Sequence, residues 1–478
     1  MQRCAWKKFL FFLNIICIMA APVSSGAAMP AMQNPSIQPT GTAAPTDLSE
    51  GTAHAAQAFS NKNTLTLAKD HLESGRLDEA EKLYADLRKS ASEVIRIEAT
   101  FQLGMIRLLQ GKYRQAASLF LEILNQHPGL ARVRLELARA YFLDKNYGDA
   151  TFQFELVKGS DLPPDVQANI DRFLDAIRRQ KNWTIDFGLS PVTDSNINQA
   201  SGGRQECINT IYGLLCRPLA QKASGYGLNA NATVDYYWRF HRDWGLRATL
   251  GFYGTAYEEQ DYNDYILAAA LGPRYLWESG EASLQPTYRK RWIADEEYSN
   301  DQGLRLDLRQ IFNRLILDVG AAYYYSEYDN AYVNSFLEGP SWNVRFQARY
   351  ILTNQTFVQG GLAFMREETK ARAYANDSLR YSLGAYHAFP YGFSLFVEGS
   401  LMQTDYKGMQ WYVTRDNRID ETVRKDTTWQ MAASLSSNIF ERYNLTPVFQ
   451  YSYTKRYSNI WTREYDRHRL NFLVNYRF

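Results

Sequence analysis

Cys207 and Cys216 stand nine residues apart in a polar, Gly-rich stretch with no histidine beside them. In an oxidising compartment that spacing closes a short loop as a disulfide. The other reading is two free thiols; a metal centre or thiol nucleophile would need a base or further ligands at a fitting spacing. The other groups that could do chemistry are equally isolated. Asp295, Glu296 and Glu297, and the pair Glu367 and Glu368, read as solvated rim carboxylates, with a Ca²⁺ site as the minor alternative. His387, flanked by Tyr386 and Phe389, reads as a packing residue on a strand face. HExxH, GxSxG and Gly-rich phosphate-loop patterns do not occur. The expectation is therefore a protein that is not an enzyme, with no catalytic residues, no cofactor and no metal.

What the chain offers instead is a set of charges at alternating positions. Arg239, Arg247, Arg274, Arg289, Arg291, Arg305, Arg309, Arg345, Arg349, Arg380 and Arg477 fall on the polar side of period-two segments. Asp186, Asp235, Asp307, Asp318 and Glu398 fall there too. The apolar side of the same segments is long and clean. Leu246, Ala248, Leu250 and Phe252 oppose Arg247 and Thr249; Trp342, Val344, Phe346, Ala348 and Tyr350 oppose Asn343, Arg345, Gln347 and Arg349. Alternation over roughly ten residues with aromatic ends is the pattern of a strand with lipid on one side and a wet lumen on the other. The last strand carries Leu470, Phe472, Val474, Tyr476 and Phe478 on one face, and its aromatic end reads as a barrel-assembly signal.

These segments run from Trp183 to the end. Tight turns are predicted near 241–243, 279–281, 313, 353–354, 390–392 and 441–443. Generally longer connectors are predicted near 191–224, 257–261, 294–301, 328–336, 370–376, 407–424 and 457–464. Six turns and seven connectors give about fourteen antiparallel strands. An even number returns both ends of the barrel to the periplasmic side. A soluble sandwich or propeller also alternates, but with shorter strands.

Upstream the periodicity is helical and repeats. Gly75, Leu77, Ala80 and Tyr84 align with Gly111, Tyr113, Ala116 and Phe120, then with Lys145, Tyr147, Ala150 and Phe154. The spacing is that of tetratricopeptide repeats, with Leu103-Gly104 and Leu137-Ala138 at the first-helix positions and Pro128 at the end of a repeat. The second helix of repeat one reads as two residues longer than the others. Residues 165–181 read as a polar capping helix. Residues 29–60, rich in Ala, Pro, Thr, Ser and Gly, read as a flexible tether. Residues 1–28 read as a secretory signal: Arg3, Lys7 and Lys8 precede an apolar run at 9–20 too short to span a bilayer, and Ser25 and Ala27 offer a cleavage site. A retained anchor is the alternative; lipidation of Cys17 is disfavoured by Ile16 before it.

The domain reading is thus signal 1–28, linker 29–60, a periplasmic tetratricopeptide-type α-solenoid 61–181 and a transmembrane antiparallel β-barrel 183–478. The formal net charge of +2 gives no general basic character, so no nucleic-acid partner is expected. Mean hydropathy of −0.42 excludes a bundle of membrane helices.

In this architecture, in the string at 183–191 with Asp194 to Asn198 after it, and in the closing Asn475-Tyr476-Arg477-Phe478, the chain resembles the surface lipoprotein assembly modulator family of type XI secretion. The resemblance implies a translocator in the outer membrane. Its clients would be surface lipoproteins or secreted haem- or iron-binding proteins, helped by periplasmic chaperones and the barrel-assembly machinery. The net basic, polar lumen is then a conduit without apolar traps, and the repeats a capture surface at its mouth. Most of the lumen charges, read by themselves, pair with one another and fill the interior. An exopolysaccharide exporter and a nutrient channel remain as alternatives.

Overall fold

The computed structural model describes residues 50–440 and 445–477. Two compact units result, a helical one up to Arg179 and a strand-built one from Gln180. The signal segment, most of the tether and Phe478 lie outside the described residues.

The helical unit runs α1 (Glu50–Glu73), α2 (Leu77–Leu87), α3 (Glu93–Leu109), α4 (Tyr113–Gln126), α5 (Ala131–Leu143), α6 (Tyr147–Val157) and α7 (Pro164–Gln180). Helix α1 starts inside the stretch expected to be tether. The three predicted repeats are α1–α2, α3–α4 and α5–α6. Each first helix ends the same way. Gly75, Gly111 and Lys145 take left-handed backbone angles. Their N–H groups donate to Leu72, Leu108 and Phe142, and the next N–H reaches back to His71, Arg107 and Tyr141. This double bond pattern satisfies carbonyls that a helix end leaves orphaned.

Chain reversal then places Ala80, Ala116 and Ala150 in the helical core, each fully buried. Tyr84, Phe120 and Phe154 fill the gap one turn on. Gly104 has to be glycine because a Cβ there would lie 2.5 Å from the Phe120 ring. Helix α2 is not the longer second helix expected for repeat one from the spacing of Gly75 and Gly111. It has 11 residues against 14 in α4, and the extra length lies mainly in α3, with 17 residues against 13 in α5. Helix α7 is polar on its outer side only. Phe173 stacks on Phe154 with centroids 5.0 Å apart and meets Phe142 edge-on at 5.2 Å, closing the last repeat.

Lys145 occupies a conformation that costs an L-residue about 1–2 kcal/mol and glycine almost nothing. Lys145→Gly is expected to stabilise the helical unit by about 1 kcal/mol. The check is the urea midpoint of the far-ultraviolet helical signal.

The second unit is a closed barrel of 14 antiparallel strands. In chain order these are β1 (Trp183–Asp194), then a separate hairpin β2 (Gln205–Thr210) and β3 (Gly213–Pro218). The barrel continues through β4 (Gly225–Arg239), β5 (Trp244–Tyr257), β6 (Asp264–Trp277), β7 (Gly280–Ile293), β8 (Glu296–Phe312) and β9 (Leu315–Tyr328). It ends with β10 (Gly339–Thr353), β11 (Thr356–Glu367), β12 (Asn376–Ala388), β13 (Phe393–Val413), β14 (Ile419–Ser437), β15 (Leu445–Ser458) and β16 (Tyr465–Arg477). Strand β1 pairs with both β4 and β16, Ser190 opposing Asn229 on one side and Val192 opposing Asn471 on the other, so no edge remains.

The outward face is apolar. Leu228, Leu250, Val344, Phe346, Leu383 and Phe472 are exposed there, an apolar band of the kind a membrane barrel turns outward. Aromatic pairs girdle the end at which the barrel starts: Trp183 lies 4.3 Å from Tyr236 and Trp244 4.7 Å from Tyr275. Among the described residues no helix is long and apolar enough to cross a membrane.

Two predicted outer connectors are corrected. The one at 294–301 shrinks to Ala294 and Asp295, both left-handed, a two-residue hairpin turn. Residues 296–301 belong to β8. Ser299 and Asp301 are polar because they face the lumen, where Arg289 Nη2 sits 2.8 Å from Asp301. The one at 407–424 is mostly strand: β13 and β14 run on through a register shift between Asp405 and Met409, leaving a turn at 414–418.

The charged lumen as candidate functional site

Period-two geometry sends every second side chain of each strand inward, and the ladder registers decide which meet. Asp235 faces Thr249 across the β4–β5 ladder. It accepts from Arg247 Nε at 2.8 Å and Thr249 Oγ1 at 2.6 Å. Arg247 also stands 3.9 Å from Asp307, and its carbonyl accepts from Gln285 Nε2 at 3.0 Å. Asp307 is the hub of this wall. Arg345 Nη2 donates to it at 2.7 Å, and Arg305 Nε lies 2.5 Å from its other oxygen, a Coulombic contact. Beside them Arg274 pairs with Glu281 and lies over the buried Tyr237 ring at 4.4 Å.

The remaining expected lumen residues divide. Arg289 pairs with Asp301 and lies 3.8 Å over Tyr324; Arg349 lies 4.9 Å over Phe357. Arg291 binds Asp264 at 2.7 Å, and Arg309 is 3.7 Å from Asp318. Arg239 shares the inward parity but ends β4, where it is exposed; it belongs to the barrel's end rather than to its interior. Glu367 is not a rim carboxylate: it ends β11 on the inward side and accepts from Asn376 Nδ2 at 2.9 Å. His387 Nδ1 contacts Thr356 Oγ1 at 2.8 Å.

Sequence reading missed several members. Asp194 ends β1 inside the barrel, held by both oxygens on Arg467 Nε at 2.8 and 3.0 Å and by the Tyr257 hydroxyl at 3.2 Å. It opens the string at 194–198 that carried the resemblance. In that string Asn196, fully buried, donates to the Asp466 carbonyl at 2.9 Å and turns the chain out of the wall. Arg424, Asp426 and Arg456 form another group, in which Arg424 lies in the connector expected at 407–424 that the structure makes strand. The lumen is also not polar throughout. Leu276, Ile311, Ile316, Ile351 and Phe357 are buried at inward positions next to the short turns. Alternation gives the side a residue faces but not its height along the barrel, so this apolar layer was invisible.

Cys207 and Cys216 are disulfide-bonded across the β2–β3 hairpin. That hairpin docks sideways, the Asn209 N–H donating to the Asn417 carbonyl at 2.8 Å. Cys207→Ser is expected to leave the barrel's heat-shifted gel mobility unchanged while exposing residues 205–218 to protease on whole cells. The bridge constrains only that loop. Elsewhere on this side a short helix α8 (Ala331–Leu337) is capped by the Asn330 side chain. Glu338 after it binds Lys370 at 2.5 Å and Tyr325 at 2.6 Å, contacts that hold its carboxyl below the ordinary range.

The profile of the surface lipoprotein assembly modifiers matches residues 183–478, the whole barrel, and a tetratricopeptide-repeat profile matches residues 107–168. The chain belongs to the surface lipoprotein assembly modifier family. Among its relatives in the family, surface lipoprotein assembly modifier 1 of Haemophilus influenzae is 23% identical over 77% of this chain and 75% of its own. The hemophilin secretion modulator of Acinetobacter baumannii is 22% identical over 79% and 78%. Of solved structures, the outer membrane channel DcaP of Acinetobacter baumannii covers 62% of this chain and 97% of its own, with 8% identity and a TM-score of 0.35. Membership of the surface lipoprotein assembly modifiers and the closed barrel with its apolar outer face place this protein in the outer membrane, with its repeats on the periplasmic side.

Proposed function

We propose that this barrel delivers client proteins to the cell surface without catalysing a reaction, and that its helical unit collects the client or the chaperone escorting it. The observation that carries the reading is the joining, in one chain, of the family's barrel to three tetratricopeptide repeats with a closed cap. A passive pore gains nothing from such a unit, whereas stacked helix pairs offer a concave surface to an extended segment. Tethering that surface to the pore raises the local client concentration. The charges along the lumen support passage of polar, unfolded chain, because most of them are engaged with one another rather than free to hold a client charge tightly.

The relatives' names speak of surface lipoproteins and of hemophilin; for this chain the client would be a surface lipoprotein or a secreted haem- or iron-binding protein. Periplasmic chaperones would keep the client unfolded, the barrel-assembly machinery would insert the barrel, and outer-membrane lipid would wrap it. Folding of the client outside would bias the direction. The test is co-expression with a candidate client encoded next to this gene, followed by protease treatment of whole cells. Client exposure that depends on this protein supports the reading. Exposure that is the same in its absence overturns it.

A further inference from the structure

Two arginines converge near the outer end of the lumen on a single carboxylate, and a third stands on the connector that follows β15. Arg424 on β14 donates through Nε and Nη2 to both oxygens of Asp426, at 3.0 and 2.5 Å. Arg456 on β15 places Nε 3.8 Å from the same Asp426 and 3.4 Å from Thr428 Oγ1. Arg463 comes from the short helical turn Trp461–Arg463 between β15 and β16. Burial first, and then repulsion from Arg424, hold it below the usual guanidinium range.

Aromatic faces complete the walls. The Arg424 guanidinium lies 4.6 Å over Tyr406 and that of Arg456 4.7 Å over Tyr465. Neighbouring carboxylates are already engaged: Glu464 with Arg415, Asp466 with Lys222, and Glu367 with Asn376.

Arg424 is 0% exposed and Arg456 5% exposed. In each the Nη1 nitrogen is buried without a hydrogen-bond partner among the described residues. An unsatisfied buried guanidinium donor is costly, and here two occur in one cluster, beside a third cation, with one negative charge among them. Guanidinium forks are matched to planar or tetrahedral oxyanions.

We propose that Arg424 and Arg456, with the positive charge of Arg463 on the adjoining connector, form a binding site for a small oxyanion, a carboxylate or phosphate group, under the outer loops. The two unpartnered Nη1 groups supply donors, and the excess of guanidinium charge over Asp426 favours a dianion. The site is separate from the Asp307 hub and stands independently of the translocation reading.

The experiment uses the full mature chain purified in detergent, with thermal unfolding followed during titration with inorganic phosphate, with succinate as a dicarboxylate, and with sodium chloride at matched ionic strength. The expected result is a saturable stabilisation by phosphate or succinate that chloride does not reproduce. The relative response to the two identifies which oxyanion is preferred. Arg463→Gln lies in a connector outside the barrel wall and should leave the fold intact while weakening binding about tenfold, the worth of one charge-assisted hydrogen bond. Arg456→Gln should do the same. A wild-type response to phosphate and succinate no larger than that to chloride overturns the proposal, as does undiminished binding by both variants.

Discussion

Deleting residues 50–179 is expected to leave an assembled barrel that displays about a hundredfold less client. The two units are compact separately, and the ladder that closes the barrel, β1 with β16 and β4, needs nothing from the helices. Assembly, read as heat-shifted mobility on a gel, should therefore survive. Display should not, because on the proposed reading the deletion removes the surface that would hold client close to the pore. The loss is an effective-concentration effect, so strong overexpression of the client should partly restore display. Full display at ordinary client levels would mean that the helical unit does not collect client.

Asp307→Ala is expected to destabilise the barrel by about 2–3 kcal/mol. Removing the shared partner of a buried ion cluster commonly costs about 3–5 kcal/mol, and the value is discounted here because the Arg345 side chain is 35% exposed. The substitution removes the carboxylate that Arg305 and Arg345 share and that Arg247 approaches from Asp235. Asp318→Ala is the contrast. Its contact with Arg309 is 3.7 Å long and partly exposed, so about 0–1 kcal/mol is expected. The readout is the temperature at which the folded band disappears on a semi-native gel. Equal effects from the two substitutions would mean that the Asp307 hub is no more than filler.

Much of this architecture is legible in the residues. Strand sides follow from alternation because lipid and lumen impose opposite polarities, and Arg345 between Val344 and Phe346 leaves no ambiguity. The repeats follow from Ala80, Ala116 and Ala150, since a close helix crossing tolerates little else. The left-handed turn was readable at Gly75 and Gly111 and hidden at Lys145, which adopts it without the residue type that signals it.

What was hidden shares one physical cause. A polar strand facing a wet lumen looks like a loop. Asp301 and Ser299 were assigned to a connector for that reason, as was Arg424, whose neighbours Thr422, Lys425 and Asp426 show no apolar face except through Val423. Pairing partners such as Asp194 with Arg467 depend on ladder register and on barrel closure, and both are set by contacts far apart in sequence.

The central claim is that client passes through the lumen. Gln347 and Phe346 are neighbours on β10 that face opposite ways: Phe346 is exposed on the outer wall and Gln347 shares the inward side of Arg345 and Arg349. A photo-crosslinking amino acid placed at each position, in cells exporting a slowed client, reads the path directly. The account predicts a client adduct from position 347 and none from position 346. An adduct from 346 alone, or none from either while client still reaches the surface, would contradict it.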